Sequence, residues 1–164
     1  RKVMKKMMLT LAIVIGSIGA AFAGNAPVLK TPGTTVISGE EEVNARVLHA
    51  FNNEFNAAKD IKWTVAQHYY LASFVYNDQH VAAYYSPEGE LMGLTRYISP
   101  ADLPLTLQSD LKKNYRDHWI SDLFEVSNSE GTTYYITLED AETKLVLKAS
   151  NGKNWSGYKK VKKS

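Results

Sequence analysis

Apolar residues along this chain follow two periods in turn. Val43, Val47, Ala50, Phe51, Phe55 and Ala58 recur every three or four positions, which is the buried stripe of an amphipathic helix. Ser38 and Glu41, just ahead of them, have the spacing of a capping box, in which hydroxyl and carboxylate satisfy free amides of the first helical turn. Past Ala58 the period drops to two. Residues 61–67, 69–76, 80–85 and 91–97 read as strands, with turns at Asn77-Asp78 and at Ser86-Pro87-Glu88-Gly89. The pattern then starts again. Ser99-Pro100-Ala101-Asp102 opens a second helix whose face is Leu103, Leu107, Leu111 and Tyr115. Strands follow at 119–126, 132–138 and 143–149, with a last one around 155–161.

The two passages match position by position. Shifted by 64 residues, Tyr70, Ala72 and Phe74 fall on Tyr134, Ile136 and Leu138, and Val81, Ala83 and Tyr85 fall on Leu145, Leu147 and Ala149. Alternate apolar positions are kept, so the same sheet face is marked in both halves. The pattern predicts an α+β fold: a tandem αββββ repeat, with halves at about 39–98 and 99–164, forming one curved antiparallel sheet with two helices on one face. Each helix must bury its stripe, and the alternating set is the surface that receives it. The opposite face carries Tyr69, Leu71, Tyr84 and Tyr135, more aromatic surface than a plain solvent face requires.

Composition changes this picture mainly at the N-terminus. Lys5 and Lys6 precede the apolar run MMLTLAIVIGSIGA, and small residues stand at Ala21 and Ala23. That is the layout of a secretory signal covering residues 1–23, with residues 24–38 a Gly-, Pro- and Thr-containing lead-in. Cleavage would remove Arg1, Lys2, Lys5 and Lys6 but no acid, so 19 basic residues fall to 15 against 17 acidic ones, a net charge of −2. The basic balance of the whole chain therefore gives no support to nucleic-acid binding. There are no cysteines. This excludes a disulfide framework and lipid attachment at a cysteine, so the expected place is the periplasm or outside the cell, without stable membrane insertion and not as a lipoprotein.

Trp63 behind the first helix, Tyr70-x-Ala72-x-Phe74, Tyr85-Ser-Pro-Glu-Gly89, Leu103-Pro104, Tyr134-x-Ile136-x-Leu138 and Gly152 occur in an order that resembles the secreted bacterial PepSY-like family, in its tandem, β-lactamase-inhibitor-protein-like form. The resemblance covers about residues 42–162. It implies two helices on one side of a curved antiparallel sheet. It also implies a binding role for the uncovered concave face, which the family's inhibitor member uses to clamp an enzyme.

The residue types that carry catalysis are present but not assembled. His49, His68, His80 and His118 have no metal-site spacing, so no metal and no cofactor is expected. Asp117-His118-x-x-Ser121-Asp122 holds the residue types of a hydrolase triad without a nucleophile elbow or oxyanion loop. Trp63 and Trp119 are expected as core plugs and Trp155 as the more exposed indole. Lys159, Lys160, Lys162 and Lys163 protect a last edge strand or touch an anionic surface. The reading is a non-enzymatic binding module that meets a protein or peptide of the cell envelope through Tyr69, Leu71, Tyr84 and Tyr135, possible inhibitor-like action included. The alternative is an envelope structural or surface-associating protein acting through the lysine cluster.

Overall fold

The computed structural model describes residues 40–150 and 152–163. The expected signal, the lead-in and Ser38 of the expected capping box lie outside them. A short 3-10 turn, Glu40–Glu42, leads into α1 (Ala45–Glu54), followed by β1 (Lys59–Val65), β2 (Tyr70–Tyr76), β3 (Gln79–Tyr85) and β4 (Leu91–Tyr97). A second 3-10 turn, Pro100–Asp102, leads into α2 (Leu105–Asn114), then β5 (Trp119–Asn128), β6 (Gly131–Glu139), β7 (Thr143–Ser150) and β8 (Ser156–Lys162). All eight strands form one antiparallel sheet in chain order, so β1 and β8 are its edges. Register shifts in the β1–β2, β3–β4, β5–β6 and β7–β8 pairs mark bulges, which bend a strand and increase its twist.

Local chemistry sets the helix ends differently from the sequence expectation. The cap of α1 is Asn44, whose Oδ1 accepts from the Arg46 amide at 2.8 Å. The helix stops at Glu54, with the Phe55 amide closing on the Phe51 carbonyl, rather than running to Ala58. Ser99 and Asp102 do form a reciprocal capping box, but on the 3-10 turn, and α2 begins only after Pro104. The turns behave as their residues require. Asn77 and Asp78 both have positive φ (50° and 60°), as a two-residue hairpin with right-handed strand twist demands. Gly89 and Gly152 also have positive φ, and each leans on a helix start. A side chain at Gly89 would meet the Arg46 carbonyl at 3.0 Å, and one at Gly152 would meet the Pro104 ring at 2.9 Å.

The core is two clusters under two helices. Val47 and Phe51 of α1 pack with Trp63, Ala72, Phe74, Val81, Ala83 and Tyr85. Leu107 of α2 packs with Leu123, Ile136, Leu138, Leu147, Ala149 and Trp155. The alternating positions therefore face the helices in both halves. Between the clusters, where β4 meets β5, Arg96 donates from Nε to Glu125 at 2.6 Å and from Nη1 to Gln79 at 2.8 Å.

The indoles are arranged differently from the expectation. Trp63 is buried, but Trp119 is 53% exposed and Trp155 only 9%. Trp119 stands opposite Glu139, the carboxylate that Lys163 pairs with, and the Lys163 ammonium sits 4.6 Å over its ring. Trp155 folds under α2 because its indole N–H finds the Leu107 carbonyl at 3.2 Å, a partner at the first turn of the helix. No helix among the described residues is long and apolar enough to cross a membrane.

Candidate functional site

Strand parity places a second set of side chains on the face away from both helices. Leu71 of β2 stands directly opposite Tyr84 of β3, and the Tyr69 ring reaches Tyr84 at 5.7 Å. These three, with Ala82, make one cluster that includes no helical residue. Tyr135 belongs to a different cluster, with Phe124 and Val126. Of the four expected binding residues, the structure thus joins Tyr69, Leu71 and Tyr84 and sets Tyr135 apart on β6. The cross-strand row Ala82, Thr95 and Val126 runs between the two groups.

The depth of these side chains decides what they can do. Tyr69, Leu71, Tyr84 and Tyr135 are 8%, 2%, 2% and 1% exposed. They form a packed floor rather than a row of standing rings. Tyr135 stacks on Phe124 with centroids 5.2 Å apart and planes 15° off parallel, and its phenol is pushed up to about 12 by burial, with the neighbouring Tyr158 adding to the shift. Besides Trp119, which Lys163 covers in part, the accessible rings of this face include two that the sequence reading did not single out. Tyr97, opposite Phe124, is 40% exposed, and Tyr158, edge-on to Tyr135 at 5.9 Å, is 41% exposed. The row Tyr97–Phe124–Tyr135–Tyr158 therefore crosses the second half from β4 to β8. The signal for Tyr97 was available, since it lies two residues beyond Thr95 on the same strand face. Tyr158 depends on the bulge between β7 and β8, which no pattern of alternation announces.

Two acids of β5 and β6 share this face, Glu139, which pairs with Lys144 and Lys163, and Asp122. Asp122, opposite Thr137, has a buried Oδ2 with no hydrogen-bond partner among the described residues. Burial raises its pKa, against the smaller opposing pull of Lys144 and the Leu123 amide. Its charge in turn adds to the burial that raises the Tyr97 phenol.

The triad residue types do not assemble. His118 Nε2 faces Asp140 at 3.4 Å rather than Asp117, and the Ser121 hydroxyl turns to the Thr137 carbonyl. Asp140 is committed to its own turn. It accepts from the Glu142 and Thr143 amides and the Thr143 hydroxyl, and these bonds hold its carboxyl down at about 2. No group of three or more His, Asp or Glu side chains among the described residues is placed to hold a metal ion. Of the lysines, Lys163 is engaged: it pairs with Glu139 at 2.7 Å and donates to the Asp140 carbonyl. Lys159, Lys160 and Lys162 lie exposed on the edge strand β8.

No known family's sequence profile matches the chain, and no curated protein matches it in sequence. Solved structures do match it in fold. A BLIP-like protein from Bacteroides fragilis superposes with a TM-score of 0.63 at 18% identity, covering 74% of this chain and 88% of that one. A DUF2874 family protein from Bacteroides uniformis gives 0.63 at 13% identity over 73% and 88% of the two chains. A protein from Bacteroides eggerthii with a provisional periplasmic assignment gives 0.62 at 16% identity, again over 73% and 88%. This chain has a BLIP-like fold.

Proposed function

We propose that this chain is a non-catalytic, exported module that binds a protein or peptide through the helix-free face of its sheet. The observation that carries the reading is the aromatic row from Tyr97 to Tyr158, with the half-buried Asp122 carboxyl beside it. Tyr97 and Tyr158 supply accessible ring surface, the kind enriched where proteins meet. Phe124 and Tyr135 pack against these two rings and hold them at little entropic cost, and Tyr69, Leu71 and Tyr84 form a second packed floor on the same face. Asp122 selects a partner that offers a lysine or arginine. The fold shared with a BLIP-like protein supports a binding and inhibitor-like role. The provisional periplasmic assignment of one neighbour agrees with the signal read in residues 1–23. The same reading takes the two αββββ halves as a tandem repeat of the PepSY-like kind and the mature protein as free of a lipid anchor.

The lysine cluster is the weaker basis for a function. Lys163 is occupied internally, and the remaining lysines stand where an edge strand needs charge to stop it pairing with another chain. Capture from an envelope extract separates the two. Tyr97→Asp with Tyr158→Asp should abolish capture of a partner that wild-type mature protein retains, while removal of residues 159–164 should not. Loss on tail removal alone, with the tyrosine variants unaffected, would transfer the function to the lysines.

A further inference from the structure

The two halves fill the space under their helices differently. α1 and α2 are both ten residues long, and Phe51 and the cap residue Phe55 in the first hold the places of Leu111 and the cap residue Tyr115 in the second. Phe74 on β2 likewise corresponds to Leu138 on β6. In the first half these three side chains are one ring cluster, with Phe51–Phe74 centroids at 5.0 Å and Phe55–Phe74 at 4.8 Å, extended by Tyr76. In the second half, two of the three rings are replaced by leucine, and Asp140 stands where Tyr76 would be. Trp155 compensates at the first turn of α2 but not at its C-terminal end. A pocket of about 530 Å³ remains there, and Leu111, Tyr115 and Leu138 are all in its wall. Its size falls within the roughly 300–1,000 Å³ of small-ligand sites.

The polar side chains in the pocket wall are Gln108, Lys112, Tyr115, Arg116 and His118. Lys112 lies in the last turn of α2 and Arg116 in the turn just past its cap, and neither has an ion pair among the described residues. His118 is turned away from this pair. Its Nε2 is turned to Asp140, and its Nδ1 is buried with no partner among the described residues. No acidic residue lines the pocket. Apolar walls missing two aromatic rings, with two cations that have no ion pair among the described residues, define a ligand chemistry.

We infer that this pocket binds a small organic carboxylate with an apolar body of one or two rings, the body lying against Leu111, Ile120 and Leu138 and the carboxylate held by Arg116 and Lys112. The site is on the helix side of the sheet and is independent of the aromatic face.

The test uses 1-naphthylacetate as the probe and neutral 1-naphthylacetamide as its comparator, read by calorimetry and by amide shifts in NMR. Wild type should bind the carboxylate saturably, with shifts centred on α2 and β5. The amide should bind about tenfold more weakly, the scale of one charge-assisted hydrogen bond. Lys112→Glu with Arg116→Glu, both on the surface and neutral to the fold, should weaken the carboxylate by a similar factor or more and leave the amide unchanged. Leu111→Phe with Leu138→Phe restores the rings of the first half and should abolish binding of both probes. Absence of saturable binding, equal affinity for acid and amide, or unchanged binding in the charge-reversed variant would each overturn the assignment. So would unchanged binding in a folded ring-restored variant.

Discussion

The phenol of Tyr85 donates a 2.8 Å hydrogen bond to the carboxylate of Glu54, tying the last residue of α1 to the end of β3. Tyr85 is fully buried, and burial together with this bond raises its pKa far beyond the ordinary phenol range. Tyr85→Phe keeps the ring and deletes the bond. It should lower stability by about 1–2 kcal/mol, the range for a hydrogen bond to a charged group that is partly open to water. Urea unfolding of Tyr85→Phe, Glu54→Ala and the double variant should show the two changes to be non-additive. Additive losses would mean that the bond contributes nothing.

The two core clusters should respond to truncation according to their packing. Phe74 touches Phe51, Phe55 and Tyr76, so Phe74→Ala should cost about 3–5 kcal/mol. Leu138 borders a pocket that already exists, so Leu138→Ala should sit at the lower end, about 2–3 kcal/mol. Denaturant midpoints at constant slope measure both. A change below about 0.5 kcal/mol at either position, the range of surface sites, would place that residue outside the core.

That the helices rest on Phe74 and Leu138 was legible in the sequence, because a strand shows its faces at every second residue and both sets are uniformly apolar. The helix ends were less so. Several residues near position 40 can cap, and only the bond from the Arg46 amide shows that Asn44 does. Trp119 and Trp155 exchanged their expected roles for a non-local reason. Each sits at a strand start, and its burial depends on what returns from elsewhere: Lys163 over one ring, the Leu107 carbonyl above the other. The site was half visible. Parity gave the floor of Tyr69, Leu71, Tyr84 and Tyr135, but parity cannot report depth, and the accessible pair Tyr97 and Tyr158 lies at the margins of the pattern. The pairing of His118 with Asp140 follows from Trp119 standing opposite Glu139 across β5 and β6, a register that no local motif encodes.

Asp140 gives the fold an acid-sensitive turn. Its carboxyl is held at about 2, below the usual 3.8, chiefly by the Glu142 and Thr143 amides. A depressed carboxyl stabilises the folded state above its unfolded pKa, and that contribution disappears as pH falls through the folded value. The stability gap between wild type and Asp140→Ala should be constant above about pH 5, narrow from pH 4 downward and close near pH 2. Unfolding curves across that window decide it, and a gap independent of pH would show that the charge is irrelevant.

At the alkaline end the sign reverses. Tyr135, held protonated up to about 12, contributes fully below the ordinary phenol value of 10 and progressively less as pH rises towards 12. Absorbance titration should show Tyr135 and Tyr85 ionising only after, or together with, loss of the folded signal. In Tyr135→Phe the loss of stability between pH 10 and 12 should be shallower. An unchanged slope would mean that Tyr135 ionises freely in the folded protein.

Site-specific photocrosslinking in the cell envelope tests the binding face most directly. A photoreactive amino acid is placed at Tyr97 or Tyr158 on the helix-free face, and at Leu105, an 80% exposed residue of α2, on the other. The account predicts a discrete crosslinked species from Tyr97 and Tyr158, lost when Asp122→Ala is added, and none from Leu105. A crosslink from Leu105 alone, or equal crosslinking from both faces, would contradict it.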